Sequence, residues 1–191
     1  MAEETKGLTA LNLTPVDPLP DDIKRYYEVC EEKLGMIPNV LAAYGFSPER
    51  LRGFSQMYNA LMLGESDLTK AEREMIAVAV SSLNHCHYCL VAHGAALRQL
   101  TGDPALAEAI AANYRHADLP PYQRAMLDFA VKVTTGSALI EEADRQALRD
   151  AGFSDRAIWD IAEVAAFFNM TNRMASAVAM RPNDAYHGMA R

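Results

Sequence analysis

The stretch TKAEREMIAVAVSSLNHCHYCLVAH, residues 69–93, decides how this chain is read. Thr69-Lys70-Ala71-Glu72 has the form of a capping box, with Glu72 placed to reach back to the Thr69 amide. An Ala-rich helix follows and runs toward Asn84-His85. A second helix is expected to begin around Cys86 and to stop at Gly102. The two helices would then lie antiparallel, joined near Asn84-His85. No Gly or Pro enforces that turn.

The same punctuation recurs outward from this hairpin. Asp21 is expected to cap a helix ending at Gly35, and Ser47-Pro48 to start one ending near Gly64. Pro104 starts the helix after Gly102, and Pro120-Pro121 breaks the chain before an apolar stretch with Met126, Leu127, Phe129, Ala130 and Val133. A helix over 141–151 closes at Gly152, and Ser154 caps a final pair of helices that ends before Pro182. No stretch alternates with β-branched and aromatic residues, and no Asn-Gly or Asp-Gly turn occurs. The expected fold is all-α.

An offset of 85 residues lays 69–84 over 154–169 and aligns Ile76 with Ile161, Ala77 with Ala162 and Asn84 with Asn169. The expected organisation is therefore a single domain over 1–191, with a core over about 20–182 and two related helical repeats. The copies differ in chemistry: Glu74 falls on Trp159, Cys86 on Thr171, Cys89 on Met174 and His93 on Val178. Polar chemistry is expected in the first copy, with the second copy packing.

Composition narrows the partners. The chain has 191 residues and a formal net charge of −7, which disfavours nucleic acid and anionic membrane. The most apolar stretches are about half the ~20 residues of a membrane span. The amino terminus carries no apolar signal segment, so a soluble cytoplasmic protein is expected. Three cysteines do not make a disulfide scaffold. In a reducing compartment, a Cys-x-x-Cys pair is more often catalytic or metal-binding than structural.

That pair is Cys86 and Cys89. Cys86 falls at the start of the second helix, where free amides and the helix dipole favour a thiolate. Cys89 and His93 are four apart and share a helix face. In the antiparallel hairpin, Glu74 lies roughly 13 Å down one helix and His93 a similar distance down the other. They come level as a carboxylate–imidazole pair that orients His93 as a base for Cys89. Cys89 is then the attacking thiolate and Cys86 the resolving thiol. A peroxide would give sulfenic acid on Cys89, then a Cys86–Cys89 disulfide that an external dithiol reopens.

Plainer readings stand beside this one. Cys86 and Cys89 also suit two buried small hydrophobes. With His93 they could supply three zinc ligands, but no second Cys-x-x-Cys or His-x-x-x-His completes a structural site. Glu74 alone suits a solvated helix charge beside Arg73, and His93 alone a structural histidine. Tyr88 and Cys30 are expected to pack, His85 and His87 to sit in the turn or first helical turn, and Phe167, Phe168 and Trp159 to lie in the core or a subunit interface. No glycine-rich phosphate loop or dinucleotide fingerprint appears, so neither cofactor nor metal is assigned.

The pattern of Glu74, Cys86, Cys89 and His93 resembles that of the AhpD-like alkylhydroperoxidases of the carboxymuconolactone decarboxylase superfamily. Leu34-Gly35-Met36-Ile37-Pro38-Asn39, Ser81-Ser82-Leu83-Asn84 and Asn169-Met170-Thr171-Asn172-Arg173-Met174-Ala175 look like its peroxidase-related branch. The resemblance implies an AhpD-like helical fold, a homo-oligomer (dimer, trimer or hexamer), hydroperoxide reduction with a peroxidatic second cysteine, and a dithiol or lipoyl-type reductant. One departure is Tyr88, where well-known members carry a histidine of the proton relay; His87 points about 100° away from that position. Two other activities fit the same residues. One is general thiol–disulfide exchange, and the other a lyase reaction of the decarboxylase type with incidental cysteines.

Overall fold

The capping box and its helix form the centre of the molecule. The computed structural model describes residues 7–191; Met1 to Lys6, part of the amino-terminal reading above, lie outside the described residues. Along the chain run α1 (Asp21–Leu34), α2 (Asn39–Ala43), α3 (Pro48–Tyr58), α4 (Lys70–Leu83), α5 (His87–Thr101), α6 (Pro104–Asn113), α7 (Pro121–Gly136), α8 (Glu142–Asp150), α9 (Asp155–Ala177) and α10 (Ala185–Gly188). Among the described residues no β-strand forms, and the fold is all-α.

α4 is buried from Glu72 to Ser81. It packs against α5, α6, α7 and α9, and its Ile76, Val78 and Val80 are inaccessible to solvent. Each such side chain contributes roughly 1.5–3 kcal/mol of transfer free energy. Leu97, Met126, Leu127, Ile161 and Phe168 close the same core. The capping box forms as read: the Glu72 amide donates to Thr69 Oγ1 at 3.2 Å, and the Thr69 amide to Glu72 Oε2 at 2.9 Å.

Three consecutive charged residues, Glu72, Arg73 and Glu74, are buried in this helix. Glu72 is satisfied by the cap. Arg73 Nη1 donates to the Leu61 and Gly64 carbonyls, each at 2.9 Å. Those carbonyls belong to a π-helical turn, Asn59–Leu63, that extends α3 and ends at Gly64.

The turn that no Gly or Pro enforces does form. α1 and α5 end on Gly35 and Gly102 with φ of 71° and 65°. α4 ends the same way on a histidine: His85 has φ 51°, its amide donates to Ser82 O, and the Cys86 amide donates to Ser81 O. This is a Schellman motif with His85 in the left-handed position, a conformation histidine tolerates better than most side chains. It reverses the chain and starts α5 at Cys86.

Two expectations are corrected. Asp21 does not cap α1: Pro20 holds that position and makes no side-chain bond, while Asp21 and Asp22 place negative charge in the first turn. The final pair of helices is one 23-residue helix, α9, capped by Ser154, with the four-residue α10 after Pro182. Phe167 and Phe168 are buried, whereas Trp159 is 68% exposed and lies outside the core.

Candidate active site

The hairpin brings the distant carboxylate to the imidazole. His93 Nδ1 donates to Glu74 Oε2 at 2.7 Å, with both side chains largely shielded from solvent. Glu74 is therefore not a solvated charge beside Arg73. The Phe168 ring meets the His93 ring edge-on at 4.5 Å and fixes its plane. With Nδ1 engaged, Nε2 is the free nitrogen, and Cys89 lies one turn up the same helix.

The cysteines divide differently from a simple Cys89 thiolate. Cys86 is the N-cap of α5, and its Sγ accepts the Cys89 amide at 3.4 Å. Both thiols are free and buried. A hydrogen bond from the Cys89 thiol, helped by that amide, lowers the Cys86 pKa from 9.0 to about 6. The Cys89 thiol, which donates into Cys86 and is itself desolvated, is pushed far up. The bias toward a thiolate expected at the helix start thus falls on Cys86, and that of Cys89 is toward the thiol.

A cavity of about 580 Å³ opens over this pair. Cys89 and His93 line it, and Cys86 does not. Its walls come from α1–α3, the π-helical turn, the start of α4, α5, α9 and the carboxy-terminal segment, with Tyr44, Phe54, Tyr58 and Phe167 forming an aromatic side. Cys30 packs with Ile23, Leu41 and Leu51 as expected, and also faces this space. Arg98 holds the carboxy-terminal wall in place by donating to the Tyr186 and Met189 carbonyls at 2.9 and 3.0 Å.

Tyr88, which stands where a relay histidine was noted, is committed elsewhere. The Val40 amide donates to its hydroxyl at 3.1 Å, tying α5 to α2. His87 is not drawn in: its ring lies 6.3 Å from that of His187.

The second copy does more than pack, which corrects that expectation. Asn172 of α9 is fully buried; its Nδ2 donates to Ser81 Oγ at 3.0 Å, and its Oδ1 accepts from Asn84 Nδ2 at 2.9 Å. Asn84 also donates to its offset partner Asn169 at 3.0 Å. Asn172 and Ser81 both counter the rise in the Cys89 pKa, so this network reaches the thiol. Sequence reasoning missed Asn172, although the Asn84–Asn169 register placed it one turn further along. Among the described residues, no three His, Cys, Asp or Glu side chains converge as a metal site, so the zinc reading of Cys86, Cys89 and His93 has no geometric support.

Known proteins match this arrangement at several levels. The carboxymuconolactone decarboxylase family model matches residues 48–112, which hold the whole hairpin. An uncharacterized peroxidase-related protein from Silicibacter sp. TM1040 is 64% identical over 97% of both chains, with a TM-score of 0.95. An uncharacterized peroxidase-related protein with an alkylhydroperoxidase AhpD core, from Ralstonia eutropha JMP134, is 47% identical over 96% of this chain and 97% of its own, with a TM-score of 0.93. The debrominase Bmp8, in complex with 2,3,4-tribromopyrrole, shares the fold at 19% identity and a TM-score of 0.78, covering 94% of this chain and 95% of its own. No curated protein matches.

Proposed function

Because the chain belongs to the AhpD-like group of the carboxymuconolactone decarboxylase superfamily, we propose that it is a thiol-dependent peroxidase that reduces alkyl or hydrogen peroxides through Cys86 and Cys89. The observation that carries this reading is that Cys89 and the Glu74-bound His93 line one cavity, with Cys86 at the helix N-cap, its Sγ accepting the Cys89 amide.

The steps follow from which atom holds each proton. As a hydroperoxide enters, the Cys89 proton passes to His93 Nε2, and the imidazolium that forms is stabilised by the Glu74 carboxylate. The Cys89 thiolate attacks the terminal peroxide oxygen and the O–O bond breaks. Cys89 becomes sulfenic acid, and the departing alkoxide takes the proton back from His93 and leaves as an alcohol. Cys86, already a thiolate, attacks the Cys89 sulfur and displaces hydroxide, which is protonated to water. The resulting disulfide is reduced by an external dithiol, of which a lipoyl-type group is one form. The hydrogen bond to Cys86, together with desolvation, raises the Cys89 pKa, so its thiolate is formed only on demand, whereas Cys86 is the resolving group biased toward the thiolate.

Assembly into a homo-oligomer is part of the same reading and rests on the likeness to the AhpD-like family. No helix among the described residues is long and apolar enough to cross a membrane. The test is steady-state consumption of cumene hydroperoxide with a dithiol reductant. Cys89→Ser abolishes turnover; a wild-type rate in that variant would overturn the assignment. Activity that survives alkylation of both thiols would favour the lyase reading instead.

A further inference from the structure

The cavity is much larger than hydrogen peroxide requires. At roughly 30 Å³ for the liquid share of one water, 580 Å³ accommodates on the order of 20 non-hydrogen atoms. Its walls are aromatic and aliphatic, so the body of a fitting ligand is apolar. The rim carries charge of one sign. Lys33 and Lys70, both exposed to solvent, line the cavity, and no Asp or Glu does, in a chain with 25 acidic residues against 18 basic ones.

Among the described residues, neither lysine has a carboxylate oxygen within 4.0 Å, although Lys24 and Lys132 both do. Lys33 lies in the last turn of α1, where the helix dipole favours a cation. Lys70 has no such explanation. It is the first residue of α4, at the positive end of the dipole, where a cation is disfavoured and the cap is already complete with Glu72. It stands one turn before Glu74, on the same face of the helix.

We propose that the substrate is an organic hydroperoxide carrying a carboxylate, with its apolar body in the cavity and its carboxylate held at the rim by Lys70 and Lys33. This rests on the peroxidase reading of the same cavity and specifies its substrate class. The hydroperoxide end reaches Cys89 and His93, while the carboxylate stays in solvent beside two cations and is never desolvated against the Cys86 thiolate.

The experiment compares linoleic acid hydroperoxide, its methyl ester and cumene hydroperoxide in single-turnover oxidation of the reduced protein. The expected result is a kcat/KM about tenfold higher for the acid than for the ester, a difference that shrinks with added salt. In the Lys33→Gln/Lys70→Gln variant the acid-to-ester ratio falls to about one. Binding of dodecanoate and of dodecanol to Cys89→Ser gives a readout independent of turnover: dodecanoate binds more tightly, and loses that advantage in the lysine variant. Oxidation by cumene hydroperoxide with equal rates for acid and ester, or dodecanoate binding no tighter than dodecanol, overturns the carboxylate proposal alone. Failure of all three hydroperoxides to oxidise the thiols overturns the peroxidase reading and this proposal with it.

Discussion

Residues 69–93 and 154–178 begin alike and end differently. Each opens on a hydroxyl N-cap, Thr69 or Ser154, and each carries an Asn at the same offset, Asn84 or Asn169. The first then bends at His85 and returns as α5, whereas α9 continues unbroken to Ala177. The bend creates what chemistry needs: a fresh helix start at Cys86 and a second helical arm of the hairpin that brings His93 to Glu74. The unbroken copy supplies a rigid rod whose Asn172 and Phe168 hold the bent one in place. Reactive and supporting roles thus differ because of one left-handed residue.

If that division is right, damage to the bent copy removes activity and damage to the straight copy removes stability. After the loss of turnover in Cys89→Ser, the largest expected effect is His93→Ala, which lowers kcat/KM for hydroperoxide by roughly 10²–10⁴, the usual contribution of a positioned acid–base group. Glu74→Gln keeps the hydrogen bond but not the charge, and lowers it by roughly 10- to 100-fold. Both follow from steady-state kinetics, with the fold checked by circular dichroism.

In the straight copy, Asn172→Ala leaves Ser81 and Asn84 short of partners and costs about 1–3 kcal/mol in urea unfolding. Because Asn172 also bonds toward the Cys89 thiol, a smaller catalytic loss accompanies the destabilisation; a catalytic loss as large as that of His93→Ala would contradict the division of roles.

The cysteine pair makes stability depend on pH. Reduced, the unfolded chain titrates Cys86 near its ordinary 9.0 and the folded chain near 6, so between these values the folded state binds fewer protons and stability rises with pH. The contribution is lost as pH falls through about 6. Urea midpoints from pH 6 to 9 should show this rise in the reduced protein, and neither the disulfide form nor Cys86→Ser should share it.

The smallest expected effect compares the two helix ends directly. Ala179 closes α9 in the same left-handed conformation as His85, with φ 50°. His85→Gly and Ala179→Gly should each stabilise by about 0.5–1 kcal/mol, because glycine adopts this region without steric cost. A destabilisation at residue 85 alone would show that the imidazole contributes contacts of its own.

Much of this was legible in the sequence, for identifiable reasons. Caps at Thr69 and Ser154, stops at Gly35 and Gly102 and the spacing of Cys89 to His93 are local, and local chemistry is written in adjacent residues. Glu74 could be placed beside His93 because two helices of equal rise must come level. The His85 turn was not forced, since a side chain that tolerates positive φ carries no mark as clear as glycine's. α9 was divided where nothing breaks it. Asn172 depends on contacts across 88 or more residues, and the lining of the cavity on helices far apart in the chain; no single-chain periodicity encodes those. The protonation of the pair was half legible: the helix start pointed to a Cys86 thiolate, but the thiol hydrogen bond that keeps Cys89 protonated needed the packed geometry.

The central claim is that Cys89 meets the peroxide and Cys86 closes the bond. Titrating the reduced protein with one equivalent of cumene hydroperoxide and mapping the thiols by peptide mass spectrometry tests it most directly. The account predicts that one equivalent is consumed, that a Cys86–Cys89 disulfide forms, and that Cys86→Ser stops at sulfenic acid on Cys89. Sulfenic acid on Cys86 in the Cys89→Ser variant, or no peroxide consumed by the wild-type protein, would contradict it.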